Sequence, residues 1–293
     1  MENVIECRSL THYYGKRLIY KGLSFNVPKG RILGLLGKNG TGKTTTINIL
    51  SGYLEPKSGE CRIFGENIRS MNPATRERIG LLIEGHVQYQ FMTIKEIERF
   101  YSAFYPAWRK EAYYELMGKL KVAPGQRISR MSCGQKSQVA LGLILAQNPD
   151  LLILDDFSLG LDPGYRRLFA DYLREYAKAE GKTVFLTSHI IQDMERLVDD
   201  CIIMDYGKIL LQCPVSDILG KFRIYSCLAE KMPEKDFDGI YHPSLIKGRL
   251  EFGSFLPPEE VKEKLDMAAT VYSDLQCSHA TLEDAFISMT GKY

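Results

Sequence analysis

Apolar residues in this chain gather into short unbroken runs instead of alternating with polar ones. Arg31-Ile-Leu-Gly-Leu-Leu36, Leu151-Leu-Ile-Leu154 and Val184-Phe-Leu-Thr187 are the clearest. Such runs, bounded by turn residues, predict strands buried on both faces, as in a parallel sheet. Helices are predicted over Thr44–Leu54 and Lys136–Gln147. Residues 2–30 read as short strands with turns at Tyr14-Gly15-Lys16 and Pro28-Lys29-Gly30. Pro56-Lys-Ser-Gly59 leads into a strand over Cys61–Phe64, and Asp205-Tyr-Gly-Lys208 reads as a hairpin turn. Residues 85–130 differ in character, with aromatics and helix formers from Thr93 to Leu120. Beyond Ser216 the pattern changes again, with strands predicted over Phe222–Ala229 and Arg249–Phe255 and a helix over Pro258–Ala268.

Composition narrows the class without naming it. A hydrophobic share of 45% with 25% charged residues suits a soluble globular chain, and 293 residues suit about two domains. Lys and Arg total 38 against 36 for Asp and Glu, so no basic excess points to nucleic acid, and no direct nucleic-acid partner is expected. The seven cysteines are scattered and show neither disulfide nor zinc spacing. The longest apolar stretches, such as Val139–Ala146, are too short to cross a bilayer, and Met-Glu-Asn-Val-Ile-Glu lacks a signal-peptide profile. A cytosolic chain without its own membrane span is the expectation.

The chemistry begins at residues 37–44, Gly-Lys-Asn-Gly-Thr-Gly-Lys-Thr. This matches G-x-x-x-x-G-K-[ST], the phosphate-binding loop, between a buried strand and a helix. Gly37, Gly40 and Gly42 let the backbone curl so that N–H groups of Lys38, Asn39, Thr41 and their neighbours point at phosphate oxygens. Lys43 supplies an ammonium for the β- and γ-phosphates, the Thr44 hydroxyl can ligate Mg²⁺, and Thr45 continues the cradle at the helix N-terminus. The run Leu151–Leu154 ends in Asp155-Asp156, acids at the C-terminal end of a strand, where open α/β sheets bind ligands. Asp155 is there placed to hold Mg²⁺ through its water shell, opposite Thr44. Taken alone it is equally a turn acid on a core strand.

Met131-Ser132-Cys133-Gly134-Gln135 precedes the helix at Lys136. Alone, this is an N-capped helix start. Placed about twenty residues before the Asp155 strand, it resembles the Leu-Ser-Gly-Gly-Gln signature of the ATP-binding subunits of ABC transporters, of single-domain exporter type (drug- and bacteriocin-exporter-like). The resemblance covers nearly the whole chain. It implies an α/β fold: a P-loop NTPase core with an N-terminal antiparallel β subdomain and a helical subdomain, plus a small C-terminal α/β appendage. The core is assigned to residues 1–215, with the helical subdomain at about 85–145, and the accessory α/β domain to 216–293. The implied function is that of an ATP-hydrolysing motor on the cytoplasmic face of the membrane, with ATP and Mg²⁺ as cofactors, driving a separate membrane permease. Ser132, Gly134 and Gln135 would close on the γ-phosphate held by a second ATP-binding subunit, in a homodimer by default or a heterodimer. Tyr14 resembles the adenine-stacking aromatic, with Tyr13 as alternative. Leu159-Gly-Leu161-Asp162 resembles the loop crossing the dimer interface, and His189 the switch histidine at the γ-phosphate. Coupling helices of the permease would dock near residues 85–125, where some of Tyr89, Phe91, Phe100, Tyr101, Phe104, Tyr105 and Trp108 are expected in the core and a few at the partner.

The chain departs from the family pattern at four positions. Met131 and Cys133 replace Leu and the first Gly of the signature. Glu84 stands where the family usually has a Gln sensing γ-phosphate and Mg²⁺, keeping an oxygen but adding charge. Asp156 stands where the catalytic base is normally Glu, one methylene shorter, and a misplacement of about 1 Å can cost roughly a hundredfold in rate. A catalytically weakened regulatory subunit of an asymmetric complex is therefore the alternative reading.

Overall fold

A computed structural model of the chain describes residues 2–83, 89–119, 121–157, 161–232, 238–268 and 270–291. Glu84, Leu159 and Gly160 lie outside the described residues.

The chain opens with β1 (Asn3–Tyr14) and β2 (Arg17–Pro28), a hairpin, then β3 (Ile32–Gly37) and α1 (Lys43–Leu50). β4 (Ser58–Ile63), β5 (Glu66–Asn67), α2 (Pro73–Arg76) and β6 (Ile79–Leu82) follow. The helical region holds α3 (Ile94–Ser102), α4 (Lys110–Lys119) and α5 (Cys133–Ala146). Then come β7 (Leu151–Leu154), α6 (Pro163–Ala179), β8 (Thr183–Thr187), α7 (Ile191–Leu197), β9 (Asp200–Asp205), β10 (Lys208–Pro214) and α8 (Val215–Lys221). The C-terminal part contains β11 (Arg223–Ala229), β12 (Ile240–Ile246), β13 (Arg249–Ser254), α9 (Pro258–Met267), β14 (Tyr272–His279) and α10 (Leu282–Thr290).

Among the described residues three sheets form, ordered β2-β1-β4-β5, β10-β9-β3-β8-β7-β6 and β12-β13-β11-β14. In the second, β9, β3, β8, β7 and β6 run parallel, and β10 is antiparallel at the edge. The unbroken apolar runs are explained by its two covered faces. Leu33, Leu35, Leu151, Ile153 and Phe185 pack with the N-terminal sheet. Ile32, Leu36, Leu152, Leu154, Val184 and Leu186 pack with the helices. Alternate residues thus enter two cores, and fully burying each such side chain contributes roughly 1.5–3 kcal/mol. Arg31 donates to both carboxylate oxygens of Asp200 at 2.7 and 2.6 Å, tying the starts of β3 and β9. Parallel strands in this register end together, so the C-terminal residues of β3, β7 and β8 meet at one edge.

The third sheet has its own small core of Tyr225, Cys227, Leu250, Phe252, Val261 and Leu265. In contrast, α10 sends Leu282, Ala285, Phe286 and Met289 into the main helical core. None of the seven aromatics of the helical region is fully buried. Phe91 and Phe104 are 64% and 62% exposed, while Tyr101 and Trp108 lie half-buried against the core. Ile94, Ile97 and Glu98 occupy the inward face of α3 instead, and Glu98 is held by the Trp108 indole N–H at 3.0 Å. Among the described residues no helix is long and apolar enough to cross a membrane.

Candidate nucleotide-binding site

The loop between β3 and α1 curls through left-handed glycines, Gly40 at φ 81° and Gly42 at φ 105°. A Cβ on Gly42 would also lie 2.9 Å from the Tyr20 ring, so the position is closed to other residues by both conformation and space. Thr41 donates its hydroxyl to the Lys38 carbonyl at 2.9 Å, bracing the turn. Lys43, buried, folds back to donate to the carbonyls of Gly37 (2.7 Å) and Lys38 (3.0 Å). Burial pulls its ammonium below the ordinary lysine value, and the Asp156 and Asp155 carboxylates pull it back up.

Across the cleft, Asp155 and Asp156 leave the end of β7 and meet Thr187 at the end of β8. The Thr187 hydroxyl donates to Asp155 Oδ1 at 2.6 Å and accepts the Asp156 N–H at 2.9 Å. Asp155 Oδ2 is buried without a hydrogen-bond partner. Asp156 sits in the left-handed region at φ 44°, held by the Thr187 contact. Its Oδ1 accepts the His189 backbone N–H at 3.3 Å, and its Oδ2 stands 3.2 Å from His189 Nε2, an ion pair when the imidazole is protonated. Burial raises the Asp156 pKa above the usual aspartate value, His189 opposes the rise, and Asp155 adds to it.

These side chains line one cavity of about 330 Å³, with Tyr14, Arg17, Ile19, Asn39, Gly40, Gly42, Lys43, Thr44, Thr45, Asp155, Asp156, Thr187, Ser188 and His189 around it. Tyr14, 47% exposed, forms one wall and meets His12 edge-on at 4.8 Å. Its neighbour Tyr13 is not in the lining. Gly37, Lys38 and Thr41 shape the loop from behind. Ser132, Gly134 and Gln135 lie elsewhere, at the start of α5. The Ser132 hydroxyl accepts the Gln135 N–H at 3.2 Å, and Gln135 Oε1 accepts the Ser132 N–H at 3.1 Å.

Four lining residues fall outside the predicted site: Arg17, Ile19, Thr187 and Ser188. Arg17 and Ile19 reach the mouth from β2, and an added Cβ on Gly40 would lie 3.0 Å from Arg17 Nη2. Thr187 is the hub joining both acids, and its only sequence signal was a hydroxyl closing an apolar strand just before Ser188-His189. Among the described residues no cluster of three or more His, Cys, Asp or Glu could hold a metal alone. Mg²⁺ takes one or two protein oxygens and completes its shell with phosphate and water. The orphaned Asp155 oxygen and the exposed Thr44 hydroxyl are hard donors of that kind.

A preformed anion cradle facing two strand-end acids defines a phosphate-handling α/β protein. The family model described as "ABC transporter" matches residues 20–158. The chain is 33% identical over 227 residues to a bacitracin transport ATP-binding protein of Bacillus licheniformis, covering 77% of this chain and 74% of that one. It is 30% identical over 307 residues to a Nod factor export ATP-binding protein I of Burkholderia orbicola, covering 98% and 97%. A solved ATP-binding subunit of an ABC transporter superposes with a TM-score of 0.65 at 26% identity, over 73% of this chain and 91% of the other. The chain belongs to the ABC transporter family, as an ATP-binding subunit, and its activity is that of an ATPase.

Proposed function

We infer that the cavity binds ATP·Mg²⁺ and that this subunit drives export through a separate membrane permease. The observation that carries the reading is the convergence of Lys43, Thr44, Asp155, Asp156 and His189 on one cavity at the ends of β3, β7 and β8. Lys43 leaves its own carbonyls for the β- and γ-phosphates, the N-terminus of α1 receives the phosphate chain, and Tyr14 stacks on the base. Thr44 and Asp155 would hold Mg²⁺, which when bound would neutralise phosphate charge. Asp156 polarises the attacking water and His189 fixes its geometry. Glu84, outside the described residues, stays a candidate for sensing γ-phosphate and metal.

Ser132, Gly134 and Gln135 serve the second ATP of a head-to-tail dimer, a homodimer by default. The Ser132 hydroxyl accepts within its capping box and keeps its own proton to donate to a phosphate. For the permease, we assign a cleft of about 270 Å³ beside edge strand β6, where Tyr53, Leu81, Ile83, Tyr101, Tyr105 and Leu143 offer an apolar floor for a helix. The exposed Phe91 and Phe104 are a further aromatic surface for that partner. Export is read from the relatives, one named for bacitracin transport and one for Nod factor export. The subunit would then sit peripherally on the cytoplasmic face, with residues 216–293 as an accessory α/β domain.

Cys133 gives a direct test, being exposed beside Ser132. With ATP·Mg²⁺ and the Asp156→Asn chain, maleimide labelling of Cys133 should slow at least tenfold, an interface burial effect. Exposed Cys277 serves as the internal control. Unchanged Cys133 labelling on a chain saturated with ATP would sink the head-to-tail arrangement.

A further inference from the structure

The last helix touches both halves of the nucleotide site. At its C-terminal end, Lys38 of the phosphate loop donates Nζ to the carbonyl of Thr290 at 2.7 Å. An ammonium there meets the negative end of the helix dipole and satisfies a carbonyl that the helix itself cannot. At its N-terminal end, the Leu282 N–H donates to Glu195 Oε2 at 2.7 Å, and Gln192 Nε2 donates to Glu283 Oε2 at 2.5 Å. Gln192 and Glu195 lie on α7, the helix that begins two residues after His189. Between these ends Leu282, Ala285, Phe286 and Met289 pack into the core that also holds Met194 and Leu197 of α7.

The C-terminal sheet presses on the same helix. A Cβ added to Gly253 of β13 would stand 2.4 Å from the Phe222 ring and 2.7 Å from Ser288 Cβ, so the sheet backbone lies directly against α10. The phosphate loop, the His189-bearing segment and the C-terminal sheet therefore share one rigid element. The side chain of Lys38 faces α10 while its carbonyl holds the Lys43 amine. Displacing α10 moves the residue on which Lys43 rests.

We propose that Lys38 and Glu195 are positioning residues for the ATPase reaction, through which α10 lets the C-terminal sheet set the poise of the phosphate loop and of His189. The inference rests on the nucleotide reading of the cavity. Lys38 acts on binding, because the loop it steadies must already be curled when phosphate arrives. Glu195 acts on turnover, because it steadies the segment behind His189.

The test uses the full chain, with ATP affinity by calorimetry, steady-state turnover, and hydrogen exchange across residues 286–291. Lys38→Met should raise the ATP Kd about three- to tenfold, the net scale of one ordinary hydrogen bond, since Lys38 acts through the loop and not on ATP itself. Lys38→Arg should return it to within about twofold, since the guanidinium still donates. Glu195→Ala should lower turnover about threefold and leave the Kd within about twofold. ATP should slow exchange at the end of α10 in the parent and not in Lys38→Met. Parental Kd, turnover and exchange response in Lys38→Met overturn the proposal, as does failure of Arg to rescue a binding defect. If Lys38→Met does not fold, the parent decides: α10 amides blind to bound ATP overturn the coupling. A parent that binds no ATP refutes the nucleotide reading instead, and this inference falls with it.

Discussion

Two helix N-termini in this chain carry glycine- and hydroxyl-rich starts, yet they are built for opposite situations. The first turn of α1 follows Gly42, which offers no side-chain cap. Its N–H groups are left for a ligand, and the cavity of Lys43, Asp155 and Asp156 closes around them. The first turn of α5 follows Ser132, which forms a reciprocal capping box with Gln135. The N–H groups of Ser132 and Gln135 are satisfied locally, and this helix start lies apart from the acids that line the nucleotide cavity. A complete cradle reads as a pocket in one subunit, whereas a satisfied helix start facing solvent reads as half of a site. In the function proposed above, binding belongs to α1 and dependence on a second subunit belongs to α5.

The sharpest way to break this division is Lys43→Ala. It removes the fixed cation of the cradle, and ATP turnover should fall at least a hundredfold, about 2.7 kcal/mol or more of transition-state stabilisation. Turnover within about twofold of the parent, in a phosphate-release assay, would end the assignment of binding to α1. Asp156→Asn should follow at about a hundredfold, the usual scale for losing a general base. Its ATP affinity should stay within about threefold, because Lys43 and the loop remain. Asp156→Glu should keep or raise the rate if reach limits the chemistry. A faster Asn variant than Glu variant in single-turnover measurements would assign the base elsewhere.

At α5 the expected losses are smaller and of another kind. Ser132→Ala should lower turnover about tenfold and leave ATP affinity of the single subunit within about twofold. The lost cap should cost about 1 kcal/mol of stability, readable in denaturant melts. Ser132→Thr should restore both, since the hydroxyl can still cap and donate. An affinity loss equal to the turnover loss, measured on dilute chain, would erase the distinction between the two helix starts.

The α1 side was legible in sequence because its physics is local. Glycines at fixed spacing, an apolar run before them and a hydroxyl after them name both the curl and its neighbours. Asp155 and His189 were legible for a related reason, as polar residues ending apolar strands. Helix length was less so. α1 stops at Leu50 because Ser51 donates its hydroxyl back to the Ile47 carbonyl and Gly52 turns at φ 76°. β12 and β14 left no alternation to read. β14 is a mostly exposed edge strand, Tyr-Ser-Asp-Leu-Gln-Cys-Ser-His, so neither face is selected for apolar residues. Arg17, Thr187 and the Lys38–Thr290 contact join residues far apart in the chain, and no local spacing encodes them.

The smallest effect separates the buried acid from the solvent-facing cap by pH alone. Burial raises the folded-state pKa of Asp156 above the ordinary aspartate value, so between the two pKa values the folded chain holds a proton that the unfolded chain has released. Stability contributed by this group therefore falls as pH rises from the unfolded to the folded pKa, because ionisation inside the site is disfavoured. Asp156→Asn, which cannot ionise, should gain stability relative to the parent as pH rises through and above the ordinary aspartate range, in urea melts without nucleotide. Ser132→Ala carries no such group, so its deficit should stay constant over the same range. The acid limb of parental turnover should also lie above the ordinary aspartate range, since the base works ionised. An Asp156→Asn stability difference that stays flat with pH, or shrinks as pH rises, would mean that the carboxylate is not held at a raised pKa beside Asp155.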